Sequence, residues 1–534
     1  MLFRSIHTRY SATRAGIPVD VYDAGNAVIG NPTSAQNHIY ADKFTGRIDF
    51  TREFDGRWPV TLKSGVFVEG MNRRAESQAA TYTFAPNGLT TSAARLAKLF
   101  PVFDEEYLPG APTIFGHATR FLSPTKLYQL AQAHPDWFPL NEVTTYNRRA
   151  TGSREITETV SAAYLRADAH FFNRRLWVVG GVRFEETTDN GTGVLTDPTA
   201  IYQKDANGNY ILNGNGARIL ITSDPLAQAK LINVTNGAHV KKRYHDFYPS
   251  LNLTYYLTDK LLLRGAAYTT IGRPNLNFIT PGTTITDSTS TNPTITVNNT
   301  ALKPQEAKSV ELSLESYQIK GGQGSLGIFQ KNINNFFGAV TRQATPELLA
   351  FYNLPDDPVY LNYNISTRTN AGDAKIVGYE MGYKQNLFFL PSWARGFTVY
   401  VNATKLTLTG SNTANFTGYA PETFAAGIDF VRPRFYVKLS MNYQGETRNT
   451  LVAVSAANGI PPGTYNWFGA NRRIGLSASY SFSKHLAVYG NISHLNGRWD
   501  IVNRQYPAGV PDFMKDRRRQ ELGAVITLGI KGTF

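Results

Sequence analysis

The chain of 534 residues contains no cysteine. Disulfide frameworks and thiolate metal sites are therefore excluded. It also contains no run of about 18 apolar residues, which a membrane-spanning helix needs, although 42% of its residues are hydrophobic. A membrane protein can still lack such runs if it crosses the bilayer with strands, because each strand shows lipid only every second side chain.

Motifs for catalysis and cofactor binding are also missing. The nine histidines are scattered, without the His-x-Glu or His-x3-His spacing of a metal site. Neither a Gly-rich phosphate loop nor a Gly-x-Ser-x-Gly motif occurs. We therefore predict no catalytic residue, no bound metal and no cofactor. The net charge of +14 comes from basic residues spread along the chain, which argues against a nucleic-acid partner.

What the sequence does contain is alternation, which is clearest in the run Glu521–Phe534. Its even positions are apolar or small: Leu522, Ala524, Ile526, Leu528, Ile530, Gly532 and Phe534. Its odd positions are mostly small or polar. This period of two indicates a strand between two different environments, and a terminal aromatic residue is typical of a membrane boundary. We predict the closing strand of an outer-membrane β-barrel, with the even side chains facing lipid.

The same alternation recurs in pairs of segments along the chain. Besides the last strand, the predicted strands are Lys43–Phe54, Val60–Glu69, Glu158–Phe171, Arg175–Glu185, Phe247–Leu257, Lys260–Thr270, Ser309–Tyr317, Leu326–Ile333, Ile376–Gln385, Phe397–Leu408, Phe424–Phe430, Phe435–Tyr443, Arg472–Phe482 and Lys484–His494. A partial strand near Leu2–Ala12 brings the number to about 16, the size of a large barrel. The fold class is therefore all-β, an antiparallel transmembrane barrel.

Loop lengths differ between the two ends of the predicted strands. The short turns all fall on one side: Asp55–Arg57, Asn173–Arg174, Thr258–Asp259, Lys320–Gly322, Arg432–Pro433 and Ser483–Lys484. Aromatic residues such as Trp58, Phe171 and Trp393 cluster beside them, as at a periplasmic boundary. The long loops, such as 70–155 and 273–303, fall on the other side. This asymmetry is typical of outer-membrane barrels; a soluble β-sandwich or β-solenoid is the alternative for the alternation alone.

Two long-loop segments carry helix signals. Ser123 and Pro124 precede an apolar pattern that stops at Pro135, in the order expected of an N-cap, a first-turn proline and a terminator. Thr91–Phe100 is a second candidate helix.

Several segments resemble the TonB-dependent outer-membrane receptors. These are Leu261–Pro274 with its Gly-Arg-Pro step, Leu302–Glu315 with its Leu-Lys-Pro step, Val377–Gln385, and the terminal strand ending at Phe534. The likeness extends over about residues 43–534. It implies a barrel of about 22 strands whose lumen holds an N-terminal plug domain. It also implies that Phe534 is the assembly signal read by the barrel-insertion machinery.

The start of the chain departs from that family. Met1–Tyr10 has no apolar signal-peptide core, and neither a plug domain nor a TonB box is recognised. We therefore interpret residues 1–534 as the C-terminal barrel part of a receptor, about 16 of 22 strands. A barrel with missing strands is expected to show an incomplete wall between Lys43–Phe54 and Glu521–Phe534, and to aggregate when expressed alone.

Candidate substrate contacts are charged residues on the face away from lipid: Lys43, Arg47, Asp49, Glu53, Lys63, Glu69, Arg175, Arg183 and Glu185. The alternative is that these residues only hydrate the lumen or pair with a plug domain. Arg517, Arg518 and Arg519 are candidates for substrate or for lipopolysaccharide phosphates. The loops around Thr283–Thr300 and 70–155 are candidate capture surfaces.

The resemblance implies an outer-membrane receptor that imports a scarce solute, with a ferric siderophore as the usual ligand and the TonB complex as the energy source. The implied partners are that complex, the small ligand, outer-membrane lipids and lipopolysaccharide, and the assembly machinery. A passive 16-stranded porin is the alternative, although it needs a signal peptide. An outer-membrane enzyme is a weaker alternative, since no acid–base cluster supports it.

Overall fold

The structure is a computed structural model. It describes residues 12–14, 17–20, 23–104, 113–114, 117–118, 121–286, 293–352, 354, 357–410, 418–452, 464–496, 498–505 and 516–533.

Fifteen long antiparallel strands of the described chain form one large barrel sheet. The first eight are β1 (Asn37–Phe54), β2 (Val60–Ser77), β3 (Arg154–Phe171), β4 (Leu176–Thr196), β5 (Asn233–Thr258), β6 (Leu261–Gly272), β7 (Gln305–Ser316) and β8 (Gly322–Gln343). The others are β9 (Asn364–Asn386), β10 (Phe397–Gly410), β11 (Glu422–Val431), β12 (Phe435–Gln444), β13 (Asn471–Ser481), β14 (Leu486–Ser493) and β15 (Val525–Gly532). The predicted fold class is confirmed.

Every predicted short turn joins two neighbouring strands. In the turn between β3 and β4, Phe172, Asn173 and Arg174 all have positive φ. Arg175 lies in this turn and not in β4, so its assignment to the strand was wrong by one residue. Trp58 from the β1–β2 turn packs on Phe171, with ring centroids 4.8 Å apart. Aromatic residues therefore cluster at this end, as the sequence predicts.

The two faces of the sheet differ as the alternation predicts. Leu312 on β7, Ile328 on β8 and Tyr379 on β9 stand side by side in register and are exposed to the outside. Leu528 on β15 is 80% exposed on the same kind of face. Because such apolar exposure is costly in water and favourable in lipid, this face is the one that contacts the bilayer.

Strand bounds differ from the prediction at their long-loop ends. β5 begins at Asn233 and β9 at Asn364, well before the alternating segments of the sequence. Alternation fades there because these segments project beyond the bilayer, where loops cover part of the strand: Ile365 and Thr367 of β9 and Asn233 and Val240 of β5 are buried. At the chain end the strand is shorter than predicted. β15 covers only Val525–Gly532, and Asp516–Leu522 belongs to a separate four-stranded sheet. The single strand predicted over Glu521–Phe534 is therefore wrong in extent.

The strands at the two ends of the chain meet at a seam formed by β1 and β15. The strand order closes with β15 followed by β1. In the described chain, however, the residue-by-residue register links β15 only to β14 and β1 only to β2. All 18 residues of β1 are exposed, on both faces. The incomplete wall between these two strands stays a prediction.

The predicted sixteenth strand near Leu2–Ala12 lies almost wholly outside the described residues. Ala12 itself begins a short hairpin, in which Ala12–Arg14 pairs with Ile17–Val19.

Five α-helices of the described residues lie in the long loops: α1 (Pro124–Ala133), α2 (Glu142–Gly152), α3 (Pro225–Ile232), α4 (Leu276–Ile279) and α5 (Pro346–Phe351). Helix α1 is confirmed with its cap, since Ser123 Oγ accepts from the Lys126 amide at 3.3 Å. The helix predicted over Thr91–Phe100 is wrong, because only Ala97–Leu99 forms a 3₁₀ turn. None of the helices described has the length and apolar character needed to cross a membrane.

The loop after β4 contains a small module built from an eight-residue repeat. Its three copies read IYQKDANG (201–208), NYILNGNG (209–216) and ARILITSD (217–224). Backbone hydrogen bonds join each copy to both others: Gln203 N to Ile219 O, Ile211 N to Gln203 O, and Ile219 N to Ile211 O. The copies therefore form a closed triangle of short extended segments.

The repeat places the same groups at equivalent positions of the module. Asp205 and Asn213 each accept two backbone N–H groups, two and four residues further along the chain. Tyr202, Tyr210 and Arg218 occupy one equivalent position, and the Arg218 guanidinium lies 4.1 Å from the Tyr210 ring. We refer to residues 201–224 as the octad module.

Candidate functional site

The lumenal face of β1–β4 carries most of the charged residues that the sequence singles out. The structure pairs several of them: Lys43 Nζ lies 2.8 Å from Glu69 Oε2, Arg47 Nε lies 2.6 Å from Asp49 Oδ2, and Arg183 is paired with Glu185. Lys63 stands beside Arg166 of β3 in the register. The two exposed pairs, Lys43–Glu69 and Arg47–Asp49, contribute little to stability, and all of these charges make the wall of the lumen polar.

The loop 273–303, which we call the inward loop, narrows the long-loop end of the lumen. Leu276, Ile279 and Leu302 form a buried cluster with Ile156 of β3, and Met71 of β2 packs against it. Ile156 and Met71 belong to the lumenal face, because they share the parity of Glu158 and Glu69. The inward loop thus crosses part of the lumen, reaching strands three and four positions away from β6.

Close packing at β4 supports this position of the inward loop. A Cβ atom added to Gly193 would lie 1.8 Å from the Pro281 carbonyl oxygen. Since any side chain at that position would displace the loop, Gly193 is required for the approach.

Both ends of the inward loop are fixed to the wall by cationic side chains. Arg273, in the Gly-Arg-Pro step, donates to Glu185 of β4 and, at 3.1 Å, to Thr187 Oγ1. At the other end, Lys242 of β5 donates to the carbonyl oxygen of Leu302. Charge-assisted hydrogen bonds in a partly buried setting are the stronger kind. The sequence placed Glu185 on the lumenal face but did not show its partner.

Beside this anchor lies a row of charges that sequence reasoning missed. Glu158 of β3, Asp189 of β4 and Lys242 of β5 stand directly opposite one another in register. Asp189 is only 1% exposed. Two neighbouring carboxyl groups repel each other, and the cation of Lys242 offsets part of that repulsion. The alternation places each of these three residues on the lumenal face, but only the strand register shows that they are neighbours.

Two further loops meet across the same end of the barrel: loop 197–232, after β4, and loop 344–363, before β9. Asp357, which is 1% exposed, accepts from Lys204 Nζ at 2.9 Å and from the Tyr210 hydroxyl. In the reverse direction, Tyr360 donates to Asp197. Each loop thus supplies an aspartate to a tyrosine of the other, and we call this arrangement the loop clamp.

The environment of the loop clamp shifts its titrating groups. Burial opposes the charge of Asp357, but the hydrogen bonds from Tyr210 and Lys204 outweigh it and hold the pKa of Asp357 below its usual value. Burial and the hydrogen bond to Asp357 raise the pKa of Tyr210 to about 12. Burial and the hydrogen bond to Asp197 also raise the pKa of Tyr360. At neutral pH the clamp therefore holds a charged Asp357 and protonated Tyr210 and Tyr360.

The predicted capture segment Thr283–Thr300 contributes to this closure. Thr283–Ile285 and Thr294–Val297 pair with each other, and the second of them adds in parallel to the start of β9. Ile295 is fully buried in a cluster with Tyr360 and Ile365. Much of the segment is therefore packed, leaving less of it available for capture than its composition suggests.

An open space remains beside the inward loop. The register pairs β5 with β6 only from Ser250 to Thr258, and a cavity of about 540 Å³ lies along the upper part of β5. Its lining includes Lys242, Tyr244, Ile271, Lys303 and Glu306. A cavity of this size suits a small solute.

Some predicted site residues have side chains that lie outside the described part of the structure. Arg517, Arg518 and Arg519 lie in the strand Asp516–Leu522, but their side chains are outside the described set. Phe534, the predicted assembly signal, also lies outside the described residues. Within the part of the chain that is described, no group of three His, Asp or Glu side chains is placed to hold a metal ion.

Solved structures with this fold are outer-membrane transporters. The ferric-catecholate import receptor Fiu from K12 E. coli is 13% identical, with a TM-score of 0.53 over 93% of this chain and 55% of that protein. The ferric citrate transporter FecA is 12% identical (TM-score 0.50, 93% and 55%). The copper transporter OprC is 11% identical (TM-score 0.51, 93% and 58%). This chain thus spans little more than half the length of these proteins.

No curated protein matches the sequence. The family model described as "TonB dependent receptor-like, beta-barrel" matches residues 3–493. With the antiparallel barrel and its narrowed lumen in view, the chain belongs to the family of TonB-dependent receptor-like β-barrels.

Proposed function

We propose that this protein is the barrel of an outer-membrane receptor that imports a scarce small solute with energy from the TonB complex. A ferric siderophore is the ligand class we favour, because Fiu and FecA import ferric chelates. The receptor family and its outer-membrane location support the broader statement. The ligand, the TonB complex, lipopolysaccharide and the assembly machinery as partners are parts of the proposal.

The observation that carries this proposal is the inward loop, fixed at both ends by Arg273 and Lys242. In this proposal, the packed and anchored loop is the element that the ligand and the energy source displace to open the lumen. The loop clamp, which joins loop 197–232 to loop 344–363 at the same end of the lumen, restricts access in the same way.

Uptake measurements in the host test this function. The gene encoding this chain is deleted, and entry of radiolabelled ferric chelates is followed with and without a protonophore. We expect uptake of one chelate to be lost on deletion and to be abolished by the protonophore in the parent strain. Uptake that depends on the gene but ignores the protonophore would establish the passive porin instead. No change for any chelate would remove the siderophore as ligand.

A further inference from the structure

The wall of the barrel has an opening between β5 and β7, above the end of β6. Pairing between β5 and β6 stops at Ser250 and Tyr268, although β5 extends upward to Asn233. The last residues of β6, up to Gly272, pair only with β7. Among the described residues, none pairs with β5 on this side above Ser250. We call this opening the side slot.

Two local features keep the side slot open. Pro249 has no backbone N–H to donate to a strand partner, and the pairing with β6 stops beside it. After Gly272 the chain turns into the lumen, where Arg273 is bonded to Glu185 and Thr187 of β4, two strands away from β6. The segment that would otherwise close the wall therefore narrows the lumen instead, as the inward loop.

The side slot passes through the thickness of the wall. Its cavity of about 540 Å³ is bordered on β5 by residues of both faces. Those of outward parity are Lys241, Arg243 and His245, and those of lumenal parity are Lys242, Tyr244 and Asp246. The other border is formed by residues between Thr300 and Glu306, where the chain returns to β7. Since neighbouring strands lie about 4.8 Å apart, one missing strand leaves about 10 Å between the two backbones.

The side slot opens above the apolar band of the barrel, toward water. Tyr248 is ten residues and His245 thirteen residues from Thr258, the end of β5 beside its short turn. With a rise of about 3.4 Å per residue and a strand tilt of about 40°, they lie roughly 26 and 34 Å above that end, whereas the apolar band is about 25 Å tall. At that boundary the outward side chains of Phe184 and Phe247 pack together, with ring centroids 5.1 Å apart, as aromatic residues do at a membrane surface.

The lining of the side slot is polar and carries charges of both signs. Its basic residues are Lys241, Lys242, Arg243 and Lys303, and its acidic residues are Asp246 and Glu306. Several of these charges already have partners: Arg243 lies 2.6 Å from Glu186, and Glu306 lies 3.6 Å from Lys308. Lys242 donates to the Leu302 carbonyl oxygen. Such a lining favours hydrophilic solutes without strong selection for one sign of charge.

We propose that the side slot is a lateral portal, through which small hydrophilic solutes pass from the cell surface into the lumen while the inward loop stays in place. A width of about 10 Å admits a compact solute and excludes a folded protein or a long polymer. The inference rests on the outer-membrane location alone. It requires no energy and does not depend on which ligand is imported; onward transport remains part of the proposed function.

The test uses the absence of cysteine from the chain, because a single introduced thiol then reports access to one position. Variants are expressed in host cells, and intact cells are treated with a small, charged, membrane-impermeant maleimide. Asp246→Cys places the thiol on the lumenal side of the side slot, and Asp136→Cys is the exposed reference on another loop. We expect the two labelling rates to agree within about tenfold, since neither thiol requires local unfolding to react. A protonophore should change neither rate.

Blocking the side slot should protect the lumenal thiol. Ala301 is exposed on the border opposite β5, so Ala301→Trp should slow the labelling of Asp246→Cys about tenfold or more, as for a site that must first open locally. Ala350→Trp is the matched control, because Ala350 is also exposed but lies on α5 in loop 344–363. That control, and Asp357→Asn, which releases the loop clamp, should each leave the rate within about twofold.

Several results would overturn the portal. One is the absence of labelling at Asp246→Cys in the otherwise native chain, and another is labelling that disappears with the protonophore. Faster labelling in the Asp357→Asn background, without an effect of Ala301→Trp, would place the route at the top of the lumen. If Ala301→Trp loses heat-modifiable gel mobility, Lys303→Trp is the blocking variant, and unchanged labelling there would equally contradict the portal.

The size limit and the membrane location have their own controls. A maleimide carrying a long polyethylene glycol chain should label Asp136→Cys and not Asp246→Cys; equal labelling of both would contradict a slot of one strand width. If Asp136→Cys is not labelled on intact cells, the outer-membrane location fails and the portal fails with it. Loss of ferric-chelate uptake with unchanged labelling would leave the portal standing.

Discussion

The Tyr164 hydroxyl donates a hydrogen bond to Asp49 Oδ1 at 2.7 Å, although a whole strand lies between them. Tyr164 is on β3 and Asp49 on β1, and both face Gly65 of β2 in register. The contact exists because Gly65 has no side chain: a Cβ there would lie 2.5 Å from Asp49 Oδ1 and 2.7 Å from the Tyr164 ring.

Replacing Gly65 by valine should therefore break this bridge and destabilise the first strands by about 1–3 kcal/mol. The measurement is the temperature at which the folded, fast-migrating gel band is lost. Gly56→Ala is the control, because a Cβ at Gly56 meets nothing within 4 Å. An unchanged transition for Gly65→Val would show that β1 and β3 are not held together in this way.

Arg273→Ala should release one end of the inward loop. Removing a charged hydrogen-bond donor from Glu185 and Thr187 costs about 2 kcal/mol, so proteolysis near the buried Ile279 should become roughly 30-fold faster. Arg264→Ala serves as control, since Arg264 pairs with Glu315 on the barrel wall. Equal cleavage rates for Arg273→Ala and the native chain would mean that packing alone holds the loop.

The loop clamp should depend on pH at both extremes. Asp357 has a lowered pKa, so its stabilisation is present above its ordinary value of 3.8 and is lost as pH falls below it. Tyr210 has a raised pKa, so its contribution is complete below 10 and is lost as pH rises through about 12. The protection factors of residues 203–221, which are their hydrogen-exchange rates corrected for the intrinsic pH dependence of exchange, should be highest between those limits.

Asp357→Asn should raise the same exchange at neutral pH, because Lys204 loses its buried counter-charge, at a cost of about 3 kcal/mol. Asp136→Asn, on an exposed turn of another loop, should leave it unchanged. Slow exchange in both variants would show that the apolar cluster around Ile295, and not the clamp, keeps these loops folded.

Leu528→Arg should cost roughly 2–4 kcal/mol or block insertion, because Leu528 lies on the lipid face near mid-membrane. Thr527→Arg, one residue away on the lumenal face, should be milder. The readout is the fraction of chain that becomes heat-modifiable in bilayers. Equal tolerance of the two substitutions would remove the face assignment of β15.

Deleting Phe534 should lower the outer-membrane yield of a version that assembles, since a terminal aromatic residue is the expected assembly signal. Yield is quantified in outer-membrane fractions against the unaltered protein, with Thr533→Ala as a neighbouring control. If yield and gel mobility stay the same without Phe534, the residue has no role in assembly.

The sequence by itself determined the barrel and the end at which its short turns lie. Alternation identified fifteen strands, since a strand between lipid and a polar lumen must change character at every residue. Glycine, proline, asparagine and charged pairs fixed the short turns, where backbone geometry restricts residue choice locally. The strand bounds at the long-loop ends were missed, as for β5 and β9, because segments beyond the bilayer have no lipid-facing side and the loops bury polar as well as apolar residues there, such as Thr367 and Ile365.

Only the tertiary structure decided how the lumen is narrowed. Tyr210 and Asp357 are 147 residues apart, and Asp197 and Tyr360 are 163 apart. No local pattern links such residues, because their contact depends on strand register and loop direction together. The same reason explains why the sequence did not show the row formed by Glu158, Asp189 and Lys242. Local periodicity shows which face a side chain occupies, whereas its partner on that face is set by the register of neighbouring strands and the direction of the loops.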